Sequence, residues 1–207
     1  MFSRISNQKE KVFGIGLSRT GTRSLAKALE TLGYHALHWR FAPENRLLEL
    51  EDAYFCDAIV DIPAAFMFET LFHVFPKSKF VYTTRPLDDW ERSISAHYDA
   101  DTPRILGRRL ELIPVSPRPV GQSALISSPL YHAIHHSIYT QHETWRAAYA
   151  AHDARIRKFF AGQEYRLLNL DVFAGNEGWP ELCSFLGAKT PSSPYPRVDW
   201  KNNPSYT

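Results

Sequence analysis

The chain has 207 residues, of which 44% are hydrophobic, 14% aromatic and 22% charged. This length suits one domain that buries roughly 70% of its unfolded surface, so neither disulfides nor metals are needed to hold a core. A net charge of +2 gives no reason to expect nucleic acid as a partner. Cys56 and Cys183 lie far apart without metal-ligand spacing, which favours a reducing compartment. The N-terminus has no apolar leader and no membrane-length apolar run follows, so we expect a cytoplasmic protein without a membrane partner.

The stretch 11–32 has the pattern of a strand, a tight loop and a helix. An apolar run over 12–17 predicts the strand, and a small polar turn at 18–22 follows it. Leucines and an alanine then recur at helical spacing over 25–32. In such a unit the amides of the loop and the first helical turn have no partner inside the helix, and the helix dipole favours negative charge there. The stretch therefore predicts an anion site, most often for phosphate.

The rest of the chain alternates between predicted strands and helices. Further strands are predicted at 34–39, 54–61, 79–84 and 165–170, and helices at 43–50, 65–75, 88–98, 130–160 (one helix or two) and 177–186. Residues 99–129 contain five prolines and are interpreted as an inserted, partly irregular lid, and the proline-rich C-terminal tail is expected to lie on the surface. This alternation predicts right-handed crossovers and an α/β fold. We expect a single domain over 1–207, built as a three-layer sandwich around a central, mainly parallel five-stranded sheet.

Candidate site residues follow the predicted strands. In parallel α/β sheets, ligands gather at the carboxyl ends of the strands. That rule brings together the loop at 18–22, Asp61 at the end of the third strand and Arg85 at the end of the fourth, with His38 at the end of the second. The position of Asp61 fits a general base and a helix cap equally well. A magnesium ligand is a further alternative for this residue. Arg85 alone would more often pair with a neighbouring surface aspartate.

The loop differs at two positions from the Walker A pattern of proteins that bind nucleoside triphosphates. Gly16 and Gly21 have Walker A spacing, but Thr22 stands where the lysine would be and Arg23 where the magnesium-binding hydroxyl would be, which disfavours an ordinary ATPase or GTPase. The segment GLSRTGTRSL instead matches a G-x-x-R-T-G-T-x-S-L pattern. In this loop, in the spacing from Arg85 to a serine eight residues later, and in its closing segments, the chain resembles the sulfotransferases that use 3'-phosphoadenosine 5'-phosphosulfate (PAPS).

The resemblance implies a P-loop nucleotide-kinase-like fold and transfer of a sulfuryl group from PAPS to a hydroxyl or amine, with adenosine 3',5'-bisphosphate (PAP) as product and no metal required. It implies that the 5'-phosphosulfate lies among Ser18, Arg19, Thr20, Gly21, Thr22, Arg23 and Ser24, and that Arg85 and Ser93 clamp the 3'-phosphate. Arg19 would stabilise charge on the bridging oxygen as the S–O bond breaks. Asp61 is the preferred base, and His38 is the reserve. Ser24 occupies the place of an adenine-stacking tryptophan, which leaves the adenine contact unassigned.

Several readings remain open from the sequence. A P-loop small-molecule kinase would share the sheet and the anion loop but would bind ATP with magnesium. A non-catalytic nucleotide-binding protein is conceivable because Arg19 stands where these enzymes commonly have lysine. The acceptor is a small molecule or, if the arginines at 104, 108, 109 and 118 are not simply solvated, an acidic glycan. The histidines between 132 and 142 lack a metal-binding pattern, so packing is expected of them. The oligomeric state is not predicted.

Overall fold

The structure, a computed structural model, describes residues 10–117, 124–173 and 178–198. Its seven strands are β1 (Val12–Gly14), β2 (Ala36–His38), β3 (Arg40–Phe41), β4 (Arg46–Leu47), β5 (Ala58–Val60), β6 (Lys79–Thr84) and β7 (Leu167–Asp171). Its α-helices are α1 (Thr22–Thr31), α2 (Ile62–Val74), α3 (Leu87–Tyr98), α4 (Pro103–Glu111), α5 (Pro129–His135), α6 (Trp145–Phe160) and α7 (Trp179–Leu186). The main sheet has the order β2-β5-β1-β6-β7 with every neighbouring pair parallel. The predicted α/β fold with a five-stranded parallel sheet is confirmed.

Helices cover both faces of this sheet because alternate strand residues are apolar on each side. Val12 of β1 packs in one cluster with residues of α1 and α7, such as Leu29 and Leu182. Its neighbour Phe13 packs in another cluster with residues of α2 and α6, such as Phe68. A strand that is buried on both faces reads as a continuous apolar run, which explains why β1 and β6 were recognisable in the sequence.

The sheet has a topological switch point between β1 and β6. From β1 the chain crosses to β2 on one side of the sheet, whereas from β6 it continues to β7 on the other side. Ligands of open α/β sheets bind in the crevice at such a point, outside the carboxyl ends of the strands. The backbone approaches closely there, because a Cβ added at Gly16 would lie 2.0 Å from Thr83 Oγ1. Gly16 is therefore required for the loop after β1 to lie against β6.

The predicted helix at 43–50 is wrong. The chain instead forms a small antiparallel hairpin of β3 and β4, joined by a 3-10 turn at Ala42–Glu44, and a second 3-10 turn follows at Leu50–Tyr54. Asn45 closes the hairpin in the left-handed region at φ 47°, which asparagine tolerates well. Arg46 then forms two hydrogen bonds with Asp52, at 2.8 Å each, and this pairing ties the hairpin to the second turn. The predicted strand at 54–61 is correspondingly reduced to Ala58–Val60.

The segment 99–129 is more regular than predicted in its first part. Helix α4 occupies nine of its residues, and Leu106 and Leu110 on that helix are buried in the core. The indole Nε1 of Trp145 donates to the carbonyl oxygen of Ala100 at 3.0 Å and anchors the start of the segment. Residues 118–123 lie outside the described part of the chain. A lid function for 99–129 stays a prediction.

The C-terminal half follows the sequence-based expectation in outline. The predicted helical region 130–160 forms two helices, α5 and α6, and a π-helical turn at His136–Thr140 directly follows α5. The predicted start of the last helix at 177 and the tail from 199 onward lie outside the described residues. Within the described ranges, no helix is both long enough and apolar enough to cross a membrane.

The pairing between Arg46 and Asp52 yields a stability prediction. The side chain of Asp52 is only 9% exposed, so Arg46→Ala leaves a buried carboxylate without its cation. We expect this substitution to lower the free energy of unfolding by about 2 kcal/mol in urea titrations. Arg104→Ala is the control, because Arg104 pairs with Glu143 on the surface and such pairs contribute about 0–1 kcal/mol. Equal losses for the two variants would contradict the prediction.

Candidate functional site

The loop after β1 has an unusual backbone that other elements hold in place. Arg19 has φ 74° and Gly21 has φ 96°, both in the left-handed region. For a non-glycine residue this conformation costs about 1 kcal/mol or more and persists only where the surroundings enforce it. Ser18 supplies that enforcement, because its N–H donates to the Tyr139 hydroxyl at 3.2 Å and its carbonyl accepts from Trp90 Nε1 at 3.0 Å.

Thr20 stabilises the loop from inside. Its N–H and its hydroxyl both donate to the carbonyl of Leu17, at 3.2 and 2.7 Å, and the hydroxyl lies 2.8 Å from Thr83 Oγ1. The residue is fully buried. We predicted Thr20 among the phosphosulfate contacts, but the structure places its side chain against β6 and uses its amide within the loop.

Helix α1 begins directly after the loop. Gly21 is its N-cap and provides no side-chain cap for the first-turn amides, which have no acceptor within the helix. A Cβ at Gly21 would lie 2.5 Å from Val172, just beyond β7. Glycine is thus required both for the positive φ and for the close approach of the two segments. The structure therefore has a helix N-terminus where the sequence predicted one, and its use as an anion site stays a prediction.

A cavity of about 610 Å³ opens at the switch point. All the predicted site residues except Thr20 line it: Ser18, Arg19, Gly21, Thr22, Arg23, Ser24, His38, Asp61, Arg85 and Ser93. Residues from five segments that are distant in sequence therefore meet around one space. The cavity has a cationic side, at the loop and β6, and an aromatic side, at α3 and α5.

Arginines form the cationic side. Arg19 Nε donates to Ser93 Oγ at 3.0 Å, and Arg85 Nη1 donates to the Arg19 carbonyl at 3.4 Å. The guanidinium of Arg85 also lies over the ring of Phe173, with Cζ 4.5 Å from the ring centroid. Among the described residues, the buried Nε of Arg85 has no hydrogen-bond partner. A buried guanidinium N–H without an acceptor is suited to a bound anion.

Ser24 contacts the C-terminal segment, and its predicted ligand contact stays a prediction. Its hydroxyl accepts a hydrogen bond from the Val198 N–H at 3.1 Å, which holds the C-terminal segment against the start of α1. Through that contact Tyr195, Pro196 and Arg197 also line the cavity. Sequence reasoning missed these residues, since no motif marks them. It also missed Phe173, which the strand-end rule could have found because it follows β7 almost directly.

Asp61 and His38 form a buried pair in the lining of the cavity. The parallel register sets His38 beside Val60, so the two side chains leave neighbouring strand ends. His38 Nε2 lies 3.3 Å from Asp61 Oδ2 and 3.1 Å from Thr22 Oγ1, and the Ser18 hydroxyl donates to Asp61 Oδ1 at 3.1 Å. Asp61 occupies the N-cap position of α2 but makes no side-chain cap hydrogen bond. Its carboxylate is directed to the cavity residues instead.

Burial sets the protonation states of this pair. It raises the pKa of Asp61 to about 6, against the opposing effects of the Ser18 hydroxyl, the Ile62 amide and the charges of Arg23 and Arg19. Burial, together with the charge of Arg23, lowers the pKa of His38 to about 3. Near pH 7 the site therefore holds a carboxylate beside a neutral imidazole, and the carboxylate is the stronger base of the two. Asp61 also has φ 86°, a strained backbone of the kind found at functional sites.

Comparison with known proteins agrees with this geometry. Residues 11–54 and 44–203 match a family model described as a sulfotransferase domain, so the chain belongs to the sulfotransferase family. The match confirms the resemblance carried by the loop and supports a transferase enzyme. A curated relative, the Ava biosynthesis cluster protein M of Aspergillus versicolor, is 25% identical over 219 residues, which cover 91% of this chain and 80% of that protein.

The raised pKa of Asp61 predicts how Asp61→Asn changes stability with pH. Since the folded state holds the Asp61 pKa at about 6 rather than the usual 3.8, ionising this carboxyl destabilises the wild type as pH rises between those values. Asparagine tolerates the positive φ and does not ionise. We expect the unfolding free energy of Asp61→Asn, relative to wild type, to rise over about pH 4–6 and to level off above, by at most about 3 kcal/mol.

Thermal unfolding at several pH values measures this difference. Asp99→Asn is a matched control, because Asp99 also has a positive φ but its side chain is 96% exposed. A stability difference for Asp61→Asn that does not change with pH, or that falls as pH rises, would contradict the raised pKa.

Proposed function

We propose that this protein is a PAPS-dependent sulfotransferase that transfers the sulfuryl group to a hydroxyl or amine of a small acceptor. One observation carries the proposal: the arginine-lined anion loop and the Asp61–His38 pair line the same cavity and are in direct contact through Ser18 and Thr22. A group-transfer enzyme needs a site for an anionic donor and a base for the acceptor within reach of the same reacting atom. Membership of the sulfotransferase family supports sulfur rather than phosphorus as that atom.

The cationic side suits the charge of the donor. Arg19, Arg23, Arg85 and Arg197 line the cavity. PAPS carries negative charge at both its 5'-phosphosulfate and its 3'-phosphate, the latter about −1.5 to −2 near pH 7. We assign the 5' group to the start of α1 and the 3'-phosphate to Arg85 with Ser93. Phe173 then offers a ring for the adenine.

In the proposed reaction, Asp61 takes the proton of the acceptor hydroxyl as its oxygen attacks the sulfur. The bond between sulfur and the bridging oxygen of the 5'-phosphate breaks, and its electron pair goes to that oxygen, so PAP leaves. Arg19 and Arg23 stabilise the charge that develops there. Arginine keeps its proton, so its role is electrostatic. His38 is a positioning residue, since its Nε2 holds the Asp61 carboxylate in place while burial keeps the ring neutral.

The assignment of Arg85 predicts selectivity among nucleotides. We expect PAP to stabilise the wild type in thermal-shift experiments by about 2.7 kcal/mol at 100 times its Kd, and ATP with magnesium to do so much less. Arg85→Ala should weaken PAP by about 10- to 100-fold, because it removes charge-assisted hydrogen bonds to the 3'-phosphate. The affinity for adenosine 5'-phosphosulfate, which lacks that phosphate, should change far less.

Arg92→Ala is the matched control, as Arg92 lies on α3 and pairs with Asp89 at the surface. An equal loss of affinity for both nucleotides would refute the role of Arg85. A shift with ATP and none with PAP would refute the donor and favour a kinase.

The assignment of Asp61 predicts the pH dependence of turnover. Because the Asp61 pKa is about 6, kcat should fall tenfold per unit below about pH 6, where the base becomes protonated. Asp61→Asn should lower kcat by about 10²- to 10⁴-fold, leave PAP binding intact and abolish this acidic limb. PAP release from PAPS, with simple phenols as acceptors, provides the assay. Unchanged turnover in Asp61→Asn would remove Asp61 as the base.

A further inference from the structure

On the aromatic side of the cavity, the hydrogen bonds of one buried imidazole identify its tautomer. His135 Nδ1 lies 2.8 Å from the carbonyl oxygen of Tyr131, and His135 Nε2 lies 3.1 Å from the Tyr98 hydroxyl. A carbonyl oxygen only accepts, so Nδ1 must carry the hydrogen. Burial lowers the pKa of His135 to about 4, so near pH 7 the ring is neutral and Nε2 offers a lone pair. The Tyr98 hydroxyl therefore donates to His135.

This donation determines what Tyr98 can offer to a ligand. Its only hydrogen is used in the bond to His135, so only the lone pairs of the oxygen remain for the cavity. Tyr98 and Asp61 line the same cavity, and a short chain of contacts joins them. The Tyr98 ring lies 5.8 Å from the ring of Tyr139, whose hydroxyl accepts from the Ser18 N–H, and the Ser18 hydroxyl donates to Asp61. Asp61, ionised near pH 7, is likewise only an acceptor. Two neighbouring groups thus accept hydrogen bonds and donate none.

The residues that α3 and α5 contribute to the cavity carry no charge near pH 7, because burial lowers the pKa of His97 and His135 to about 4. The Tyr131 ring stacks on His135 with centroids 3.9 Å apart. Of the arginines that raised the possibility of an acidic glycan, those within the described residues, Arg104, Arg108 and Arg109, do not line the cavity. Arg104 pairs with Glu143 and Arg109 with Asp99 instead. Arg19 and Arg23, the cations that act on Asp61, are assigned to the donor. A negatively charged acceptor would therefore meet the Asp61 carboxylate without a cation of its own.

Resting on the proposed function, we propose that Tyr98 is a specificity residue for an uncharged aromatic acceptor with two neighbouring hydrogen-bond donors. The reacting hydroxyl donates to Asp61, and the second hydroxyl donates to the Tyr98 oxygen. A 1,2-dihydroxyarene has this arrangement. His135 acts through Tyr98 as a positioning residue, because it fixes the direction of the Tyr98 hydrogen.

Three small probes that differ in one group test the proposal. Dissociation constants of catechol, phenol and 2-methoxyphenol are measured by titration of the wild type saturated with PAP. Catechol should bind about fivefold more tightly than either other probe, the ratio expected for one neutral hydrogen bond. The methoxy group can accept but not donate, so 2-methoxyphenol should resemble phenol. In Tyr98→Phe the advantage of catechol should disappear while PAP affinity is unchanged.

Tyr165→Phe is the control, because Tyr165 is 75% exposed and remote from the cavity. Retention of the catechol advantage in Tyr98→Phe, or an equal loss for all three probes, would overturn the proposal. If PAP binds to the wild type and catechol has no advantage, the role of Tyr98 fails alone; if PAP does not bind, the proposed function fails.

A second measurement needs no stable variant of Tyr98. The ¹⁵N shifts of His135 in the wild type should show the Nδ1–H tautomer, and the Nε2–H tautomer would contradict the proposal.

Discussion

The arrangement of the site depends on the way Ser18 is held at the end of β1. Its amide, its carbonyl and its hydroxyl bond to Tyr139, Trp90 and Asp61, so three other elements contact one residue. This anchoring maintains the left-handed backbone of Arg19, which is unfavourable in an isolated chain. The π-helical turn at His136–Thr140 carries the Tyr139 hydroxyl, and such turns are frequent at functional sites. The loop after β1, the Asp61 carboxylate and the aromatic side of the cavity therefore share a common support.

A second constraint is the separation of charge within one cavity. The arginines collect where the loop, β6 and the C-terminal segment meet, whereas the aromatic side carries neutral imidazoles. Burial contributes to this difference, because it disfavours the charged form of His97 and His135 on the aromatic side. The Asp61 carboxylate lies beside the loop and accepts a hydrogen bond from the Ser18 hydroxyl. An anionic donor and an uncharged acceptor would each meet surroundings that suit them.

The sequence predicted an element correctly where the spacing of its apolar residues favoured one type of secondary structure only. Strand β6 occupies the predicted residues 79–84, because a doubly buried strand is a plain apolar run. The helix expected at 43–50 failed, since the turn conformation of Asn45 and the pairing of Arg46 with Asp52 overrode weak helical spacing. The motif grouped Thr20 and Ser24 with the ligand contacts, and the structure adds that each hydroxyl forms a hydrogen bond within the protein.

The sequence by itself determined the anion loop, the family, and the edge of the sheet where Asp61, His38 and Arg85 would meet, because strand ends and glycine spacing are local properties. Only the tertiary structure decided that His38 pairs with Asp61, that Tyr98 donates to His135, and that the C-terminal segment closes one side of the cavity. These contacts join residues far apart in the chain, such as Ser24 and Val198, which are separated by 174 positions. Hydrogen-bond direction and pKa depend on burial by such distant neighbours, so neither can be read from local sequence.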